Sequence, residues 1–146
     1  MVTAKRYSIT RRLEVDAGHR LLKHEGKCAN YHGHRYAIEL TLEGVELDEV
    51  GVLVDFSAVK ERFGAWLDRK VDHAMILQDE DPMVGPMEEL GVKLCVVPFA
   101  PTAEALAKWF YFAARDVLGL VPADVVRVRV YETPNCWADW PSVVTP

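Results

Sequence analysis

Apolar and polar residues alternate with a period of two in three parts of the chain. From Tyr7 to Leu21 the odd positions are mostly apolar and the even positions are mostly charged or polar. The same alternation runs from Tyr31 to Glu43 and from Val125 to Glu132. A period of two is typical of a strand with one buried face. The pattern therefore predicts three strands whose apolar faces meet in a core.

Two other parts of the chain carry the helical period of apolar residues. The first helix is predicted after Ser57, a suitable N-cap, and the second runs from Pro101-Thr102 to Gly119. The short apolar segments 51–56 and 93–99 predict a strand before each helix. Links short enough for hairpins favour an antiparallel sheet with the helices on one side. The predicted fold class is α+β.

Composition narrows the kind of protein that carries this pattern. The chain has 146 residues, of which 50% are hydrophobic and 27% are charged, so we expect a single domain over residues 1–146. No apolar run has the length of a membrane span or a signal peptide, and three widely spaced cysteines indicate free thiols. We expect a cytoplasmic protein without a membrane partner. The net charge of -5 gives no reason to bind nucleic acid.

Two histidines separated by one residue are the sharpest chemical signal. In Cys28-Ala29-Asn30-Tyr31-His32-Gly33-His34 the imidazoles of His32 and His34 project from the same side of one strand. His19 lies on the apolar face of the preceding strand. If these strands pair, three imidazoles converge and leave a fourth position open, which is the ligand set of catalytic zinc. We expect Zn²⁺ at His19, His32 and His34.

Other residues carry chemistry close to these histidines in the sequence. The Cys28 thiol follows Lys27 in a turn and is a candidate base or nucleophile, with a fourth metal ligand as the alternative. Asp72 next to His73 can fix an imidazole tautomer for proton transfer. Glu132 interrupts an apolar strand face and, if buried, needs a ligand with adjacent N–H groups.

Positive charge is concentrated between His19 and Cys28 in an otherwise acidic chain. The residues are Arg20, Lys23, His24 and Lys27. Such a cluster suits a phosphate-bearing ligand, and a solvated loop is the alternative.

Six motifs follow one another over nearly the whole chain. They are Val15-Asp16-Ala17-Gly18-His19-Arg20-Leu21, Cys28-Ala29-Asn30-Tyr31-His32-Gly33-His34, Val54-Asp55-Phe56, Val71-Asp72-His73, Pro101-Thr102-Ala103-Glu104 and Val130-Tyr131-Glu132-Thr133. Together they resemble the 6-pyruvoyl-tetrahydropterin synthase and 6-carboxy-tetrahydropterin synthase family. The three residues between Cys28 and His-Gly-His resemble the bacterial branch that makes 6-carboxy-5,6,7,8-tetrahydropterin for queuosine.

The resemblance implies a tunnelling fold, in which an antiparallel four-stranded sheet carries two helices on one face. It implies trimers that close into a β-barrel, two trimers in a homohexamer, and active sites between subunits. The implied reaction is that of a zinc-dependent lyase, which converts 7,8-dihydroneopterin triphosphate to 6-carboxy-5,6,7,8-tetrahydropterin and releases triphosphate and acetaldehyde.

The resemblance also implies a role for each motif residue. His19, His32 and His34 would hold zinc, Cys28 would accept a proton, Asp72 and His73 would relay one, Glu132 would anchor the pterin, and Thr102 and Glu104 would line its pocket. His24 and Lys27 are the candidate phosphate contacts.

Three alternatives remain open at this point. A family member can stop after loss of triphosphate and make 6-pyruvoyl-tetrahydropterin. A cupin-type metalloenzyme would use His32, His34 and Glu39, although Glu39 faces away from the histidines on an unbroken strand. A non-catalytic zinc scaffold would use Cys28 as a fourth, structural ligand.

Overall fold

The computed structural model describes residues 4–142, and within this range six strands form one mixed sheet. The strands are β1 (Tyr7–His19), β2 (His32–Gly44), β3 (Met75–Gln78), β4 (Leu94–Val97), β5 (Asp124–Thr133) and β6 (Cys136–Trp140). Their order across the sheet is β4-β3-β1-β2-β5-β6. The three predicted alternating strands are present as β1, β2 and β5, and segment 93–99 contains the predicted strand β4. Strands β3 and β6 were not predicted, and β3 and β4 extend the sheet by parallel pairing instead of the predicted antiparallel arrangement. The fold class is α+β as predicted, and the predicted number of strands is wrong.

The long hairpin of β1 and β2 follows directly from the alternating pattern. Along β1 the side chains of Leu13, Val15 and Ala17 are buried, while their even-numbered neighbours are exposed or half-buried. The register pairs Ala17 with His34 and His19 with His32. One face of the hairpin thus carries its apolar residues and ends in the histidines.

Buried side chains of three of the four helices in the described part of the chain pack against one face of the sheet. The helices are α1 (Phe56–Val59), α2 (Ala65–Lys70), α3 (Val84–Glu89) and α4 (Ala103–Leu118), and a π-helical turn at Lys60–Gly64 joins α1 to α2. Phe63 and Phe110 from the helical segments lie in one buried cluster with Ile38 and Leu40 of β2 and Val128 of β5. Each such side chain contributes about 1.5–3 kcal/mol by its burial. Among residues 4–142 no helix combines the length and the apolar character needed to cross a membrane.

The start of the first helix differs from the prediction. Segment 51–56 is not a strand, because a turn closes at Gly51, whose φ of 84° suits glycine, and the helix begins at Phe56. The N-cap is Asp55, whose carboxylate accepts a hydrogen bond from the Ser57 N–H at 2.8 Å. The second predicted helix is confirmed, with Thr102 as its N-cap.

Candidate metal centre and active site

The three predicted histidines meet at the end of the β1–β2 hairpin. One nitrogen from each of His19, His32 and His34 lies within 4.8 Å of the other two. The sheet register produces this cluster, because β1 and β2 pair along their whole length and end with His19 opposite His32. Within residues 4–142 this is a group of ligand atoms close enough to hold one metal ion, and Cys28 is not a member of it.

Backbone carbonyls fix two of the rings. The Nδ1–H of His19 donates to the Pro101 carbonyl at 2.7 Å, and the Nδ1–H of His32 donates to the Asn30 carbonyl at the same distance. Each Nε2 is then a lone-pair acceptor, and the two Nε2 atoms face each other at 3.0 Å. Two lone pairs at this separation repel unless a cation lies between them. The donor set therefore fits a metal, and the carbonyls act as the outer partners that orient metal-binding imidazoles.

The surroundings of His19 and His34 favour their neutral form. Burial lowers the pKa of His19 from its ordinary value to about 4, and the neighbouring His32 and His34 act in the same direction. Burial also lowers the pKa of His34, although the carboxylate of Glu132 opposes this. The Nε2 of His34 is buried and has no hydrogen-bond partner. Neutral imidazole is the form that binds a metal ion.

Strand β5 brings Glu132 to the edge of the cluster. Its Oε1 lies 3.9 Å from the Nε2 of His19. Glu132 also lines a cleft of about 310 Å³ together with seven other residues, among them Thr102, Glu104 and Leu21. The three residues predicted to contact the pterin, Glu132, Thr102 and Glu104, therefore lie along one cleft. A carboxylate at this position can accept two hydrogen bonds from a flat ligand with adjacent N–H groups.

Tyr36 is a site residue that the sequence analysis did not single out. It follows His34 on the same face of β2 and is 1% exposed, and its ring lies 5.3 Å from that of His34 and 5.8 Å from that of His19. Its hydroxyl is buried without a hydrogen-bond partner. Burial, and next the Glu132 carboxylate, raise the pKa of Tyr36, so it stays a neutral donor. The sequence signal for Tyr36 was its position two residues after His34, which puts both side chains on the same face of the predicted strand.

Asp72 and His73 form a pair at a different cavity. The Nδ1–H of His73 donates to Asp72 Oδ2 at 2.8 Å, and the Asp16 N–H donates to Asp72 Oδ1 at 3.0 Å. Burial works against ionisation of Asp72, but these hydrogen bonds outweigh it and lower its pKa. His73 lines a cavity of about 540 Å³, to which His34 contributes and Glu132 does not.

The backbone of His73 is held in an unusual conformation. Its φ is 58°, which is uncommon for a residue other than glycine. The His73 N–H donates to the Asp16 carbonyl at 2.6 Å, which anchors this conformation to β1. The ring is 74% exposed. It therefore points an imidazole with a fixed Nδ1 partner towards solvent.

Cys28 lies in the loop between β1 and β2. It belongs to a 3₁₀ turn at Lys27–Ala29, and its side chain is half-buried. Its carbonyl accepts a hydrogen bond from the Leu21 N–H at 2.8 Å, which closes the loop. The closed ligand set of a structural Cys-His₃ zinc site is not formed.

The positively charged cluster is only partly available to a phosphate. Arg20 is bound to Asp81, with the shorter contact at 2.6 Å, and Lys23 lies 3.9 Å from Glu80. His24 lines a small cavity next to Thr102, while Lys27 is exposed. His24 and Lys27 stay predicted phosphate contacts, and Arg20 has another role.

The ligand set of a cupin is not formed. Glu39 lies on the opposite face of β2 from His32 and His34, where it accepts a hydrogen bond from Arg12 at 3.3 Å. The strand is unbroken between His34 and Glu39, so their side chains cannot meet.

The topology and the histidine cluster define an α+β protein whose sheet carries a three-imidazole site suited to a divalent metal. A family model described as 6-pyruvoyl tetrahydropterin synthase matches residues 8–142. A 6-carboxy-5,6,7,8-tetrahydropterin synthase of Rickettsia bellii is 36% identical over 135 residues, which cover 89% of this chain and 96% of that protein. The chain belongs to the 6-pyruvoyl tetrahydropterin synthase family, and it is an enzyme.

Further comparisons agree with this membership. A 6-carboxy-5,6,7,8-tetrahydropterin synthase of Aquifex aeolicus is 31% identical over 159 residues, covering 92% of this chain and 98% of that protein. The crystal structure of an uncharacterized protein from Wolinella succinogenes has a TM-score of 0.81 at 24% identity, covering 92% of this chain and 97% of the other. The Caenorhabditis elegans 6-pyruvoyl tetrahydropterin synthase has a TM-score of 0.70 at 24% identity, covering 96% and 98%. The two structures show the shared fold.

Proposed function

We propose that the protein converts 7,8-dihydroneopterin triphosphate to 6-carboxy-5,6,7,8-tetrahydropterin, with loss of triphosphate and acetaldehyde, on the route to queuosine. The observation that carries the proposal is the cluster of three imidazoles, with Glu132 Oε1 3.9 Å from the Nε2 of His19. Relatives with identities of 36% and 31% over most of the chain are named for this product. The cytoplasmic location and the single domain stay predictions.

The proposal assigns Zn²⁺ to His19, His32 and His34. Three neutral imidazoles are a typical ligand set for this ion and leave a position for substrate. When bound, zinc supplies a Lewis acid that stabilises negative charge on the side-chain oxygens of the substrate. The chain itself holds the rings in place through the Pro101 and Asn30 carbonyls.

Glu132 is proposed to anchor the pterin ring. The pyrimidine edge of a pterin presents adjacent N–H groups, which match the two oxygens of a carboxylate. Thr102 and Glu104 line the same cleft. The Thr102 hydroxyl accepts from the Ala105 N–H at 3.1 Å, so its hydrogen is available to donate to a ligand.

Proton transfer is assigned to Cys28, Asp72 and His73. Cys28 as thiolate would take a proton from the substrate side chain. The ionised Asp72 accepts from His73 Nδ1–H and so leaves Nε2 of that ring to give or receive a proton. The partly protected position of Cys28 and the exposed position of His73 suit the two roles.

A second copy of the chain is proposed to complete the site within a homohexamer. Glu132 and His73 line different cavities of one chain. From Tyr7 to Ala17 the edge of β1 away from β2 has no strand partner among residues 4–142, because β3 pairs only with Gly18 and His19. An open edge of this length is suited to pairing between copies, which would bring residues of two chains together.

The proposal is tested by substituting Cys28 and His32. Cys28→Ala is expected to retain zinc and assembly while kcat falls by a factor of 10² or more, roughly the contribution of a general base. His32→Ala is expected to lose both metal and turnover. Metal content by mass spectrometry and product formation from dihydroneopterin triphosphate give the two readouts.

Matched variants make these results specific. Cys95→Ala removes a buried thiol from the core and should leave turnover within about twofold, while His24→Ala removes a surface imidazole and should leave the metal content unchanged. Product formation by Cys28→Ala at the wild-type rate would exclude the proposed role. Accumulation of 6-pyruvoyl-tetrahydropterin by the wild type would assign the other reaction of the family.

A further inference from the structure

A buried carboxylate outside the proposed chemistry joins both ends of the loop that carries Cys28. Asp81 follows β3 and is 4% exposed. The Nε and Nη2 of Arg20 donate to its two oxygens at 2.6 and 2.8 Å, and the Tyr31 hydroxyl donates to Oδ1 at 3.1 Å. The Met83 N–H donates to the same oxygen at 2.9 Å. All four contacts are direct hydrogen bonds within ordinary distances.

The two side chains that Asp81 binds stand at the two ends of the loop. Arg20 follows His19 and Tyr31 precedes His32, so each is adjacent to a proposed metal ligand. The guanidinium of Arg20 also stacks on the Tyr31 ring, 4.3 Å from its centroid. The segment between them, residues 21–30, contains Cys28. A single carboxylate thus binds the first side chain beyond the β1–β2 pairing at each end of the loop.

The loop transmits this constraint to Cys28 through its backbone. Leu21, next to Arg20, donates its N–H to the Cys28 carbonyl at 2.8 Å. On the other side of Cys28, the Asn30 N–H and side chain donate to the Lys27 carbonyl at 3.0 and 3.1 Å. Displacing Arg20 or Tyr31 therefore displaces the segment that holds the sulfur.

We call the hydrogen bonds that Arg20 and Tyr31 donate to Asp81 the Asp81 clamp. The electrostatics of the site keep Asp81 in its charged form. Burial alone would raise the pKa of Asp81, but the hydrogen bonds from Arg20, Met83 and Tyr31 together lower it. A charge-assisted pair with the guanidinium fork is stronger and more directional than a neutral hydrogen bond. Asp81 lies 61 residues from Arg20 and 50 residues from Tyr31 in the sequence, so the carboxylate that joins the loop ends comes from a distant segment.

We propose that Asp81 is a positioning residue that holds Cys28 in its working place relative to the three histidines by binding Arg20 and Tyr31 together. The inference rests on the proposed function, because it assigns Asp81 an effect through the Cys28 thiol. Asp81 is not one of the three residues of the metal cluster and does not line the cleft that contains Glu132. Its removal should therefore lower kcat and change the reactivity of Cys28 while the metal ligands remain.

The test compares Asp81→Asn with Asp79→Asn. Asp79 lies two residues earlier and is exposed, so it undergoes the same chemical change outside the clamp. Three quantities are measured on the zinc-loaded protein: metal content, kcat and KM with dihydroneopterin triphosphate, and the rate at which iodoacetamide alkylates each cysteine, resolved by peptide mass spectrometry. Exposed Cys136 serves as the internal standard for alkylation.

For Asp81→Asn we expect full metal content, a kcat about tenfold lower with KM changed less than threefold, and alkylation of Cys28 at least threefold faster relative to Cys136. Asp79→Asn should match the wild type in all three. A kcat within twofold of wild type, or a lower kcat with unchanged alkylation of Cys28, would overturn the proposal. The second result would mean that Asp81 supports the fold alone.

Tyr31→Phe covers the case in which Asp81→Asn fails to fold. It removes only the hydroxyl that reaches Asp81, and we expect a kcat about threefold lower with faster alkylation of Cys28. Unchanged alkylation in this variant would overturn the proposal. The alkylation readout needs no turnover, so failure of the proposed reaction in the wild type is distinguished from failure of the clamp.

Discussion

At the residue scale, the site depends on three histidines whose rings the fold brings together and on the burial that keeps His19 neutral. His19 combines a buried ring, a hydrogen bond from Nδ1 to the Pro101 carbonyl and a free Nε2 that faces His32. The sequence predicted that His19 and His32 share a face, because each continues the apolar positions of its own strand. The Pro101 carbonyl could not be predicted, because it lies 82 residues away from His19 in the sequence.

The low pKa of His19 makes the metal-free protein sensitive to mild acid. The pKa is about 4 in the folded chain against an ordinary 6.5, so between these values only the unfolded chain binds the proton. The contribution of neutral His19 to the free energy of unfolding is fully present above pH 6.5 and is lost as the pH falls towards 4. The loss amounts to about 3 kcal/mol for this residue, at about 1.4 kcal/mol for each pH unit.

Urea unfolding of metal-free protein at pH 7.0 and pH 4.5 measures this loss. His19→Gln should show a smaller drop between the two pH values than the wild type, by an amount of the same order. His24→Gln changes an exposed ring and should show the wild-type drop. Equal drops for wild type and His19→Gln would contradict the assignment of a neutral, buried His19.

At the element scale, the sequence predicted elements whose pattern is long and regular. The β1–β2 hairpin and helix α4 came out close to their predicted bounds because each repeats its period over many residues. Strand β3 was not predicted because its four residues are too few to show an alternating pattern. It is stabilised by parallel pairing with β1 and β4, which are distant in sequence.

A bulge explains why one predicted face of β5 is partly wrong. Strict alternation from Val125 to Glu132 puts Val126 on the same face as Val128 and Val130. In the structure the register with β2 skips Val126, because Thr41 pairs with Arg127 and Leu42 with Val125. Val125 is buried in its place. An extra residue in one strand shifts the alternation by one position, and sequence periodicity cannot locate it. Glu132 follows the bulge and still lies on the histidine side.

At the scale of the whole molecule, the proposed site needs residues that one chain places at separate cavities. The exposed imidazole of His73 and the open edge of β1 both favour completion by another copy. The sequence pattern could not predict how copies pair, because β-edge pairing depends on the finished shape of the sheet.

Complementation between two inactive variants tests the shared site. Cys28→Ala and His73→Ala are co-expressed with different tags, and mixed assemblies are purified on both tags in succession. Random pairing of two chains across one site predicts recovery of about a quarter of wild-type activity, because one pairing in four joins an intact Cys28 to an intact His73. Each variant alone is the control. Activity no greater than that of the single variants would place both residues in one chain.

X-ray absorption at the zinc edge tests the central claim most directly, because it reports which atoms of the wild-type protein surround the ion. Three imidazoles are predicted to give three nitrogen neighbours at about 2.0–2.1 Å and a fourth light atom from water. The spectrum of Cys28→Ala should be the same as that of the wild type. Absence of bound zinc after reconstitution, or a sulfur neighbour at about 2.3 Å that is lost in Cys28→Ala, would contradict the account.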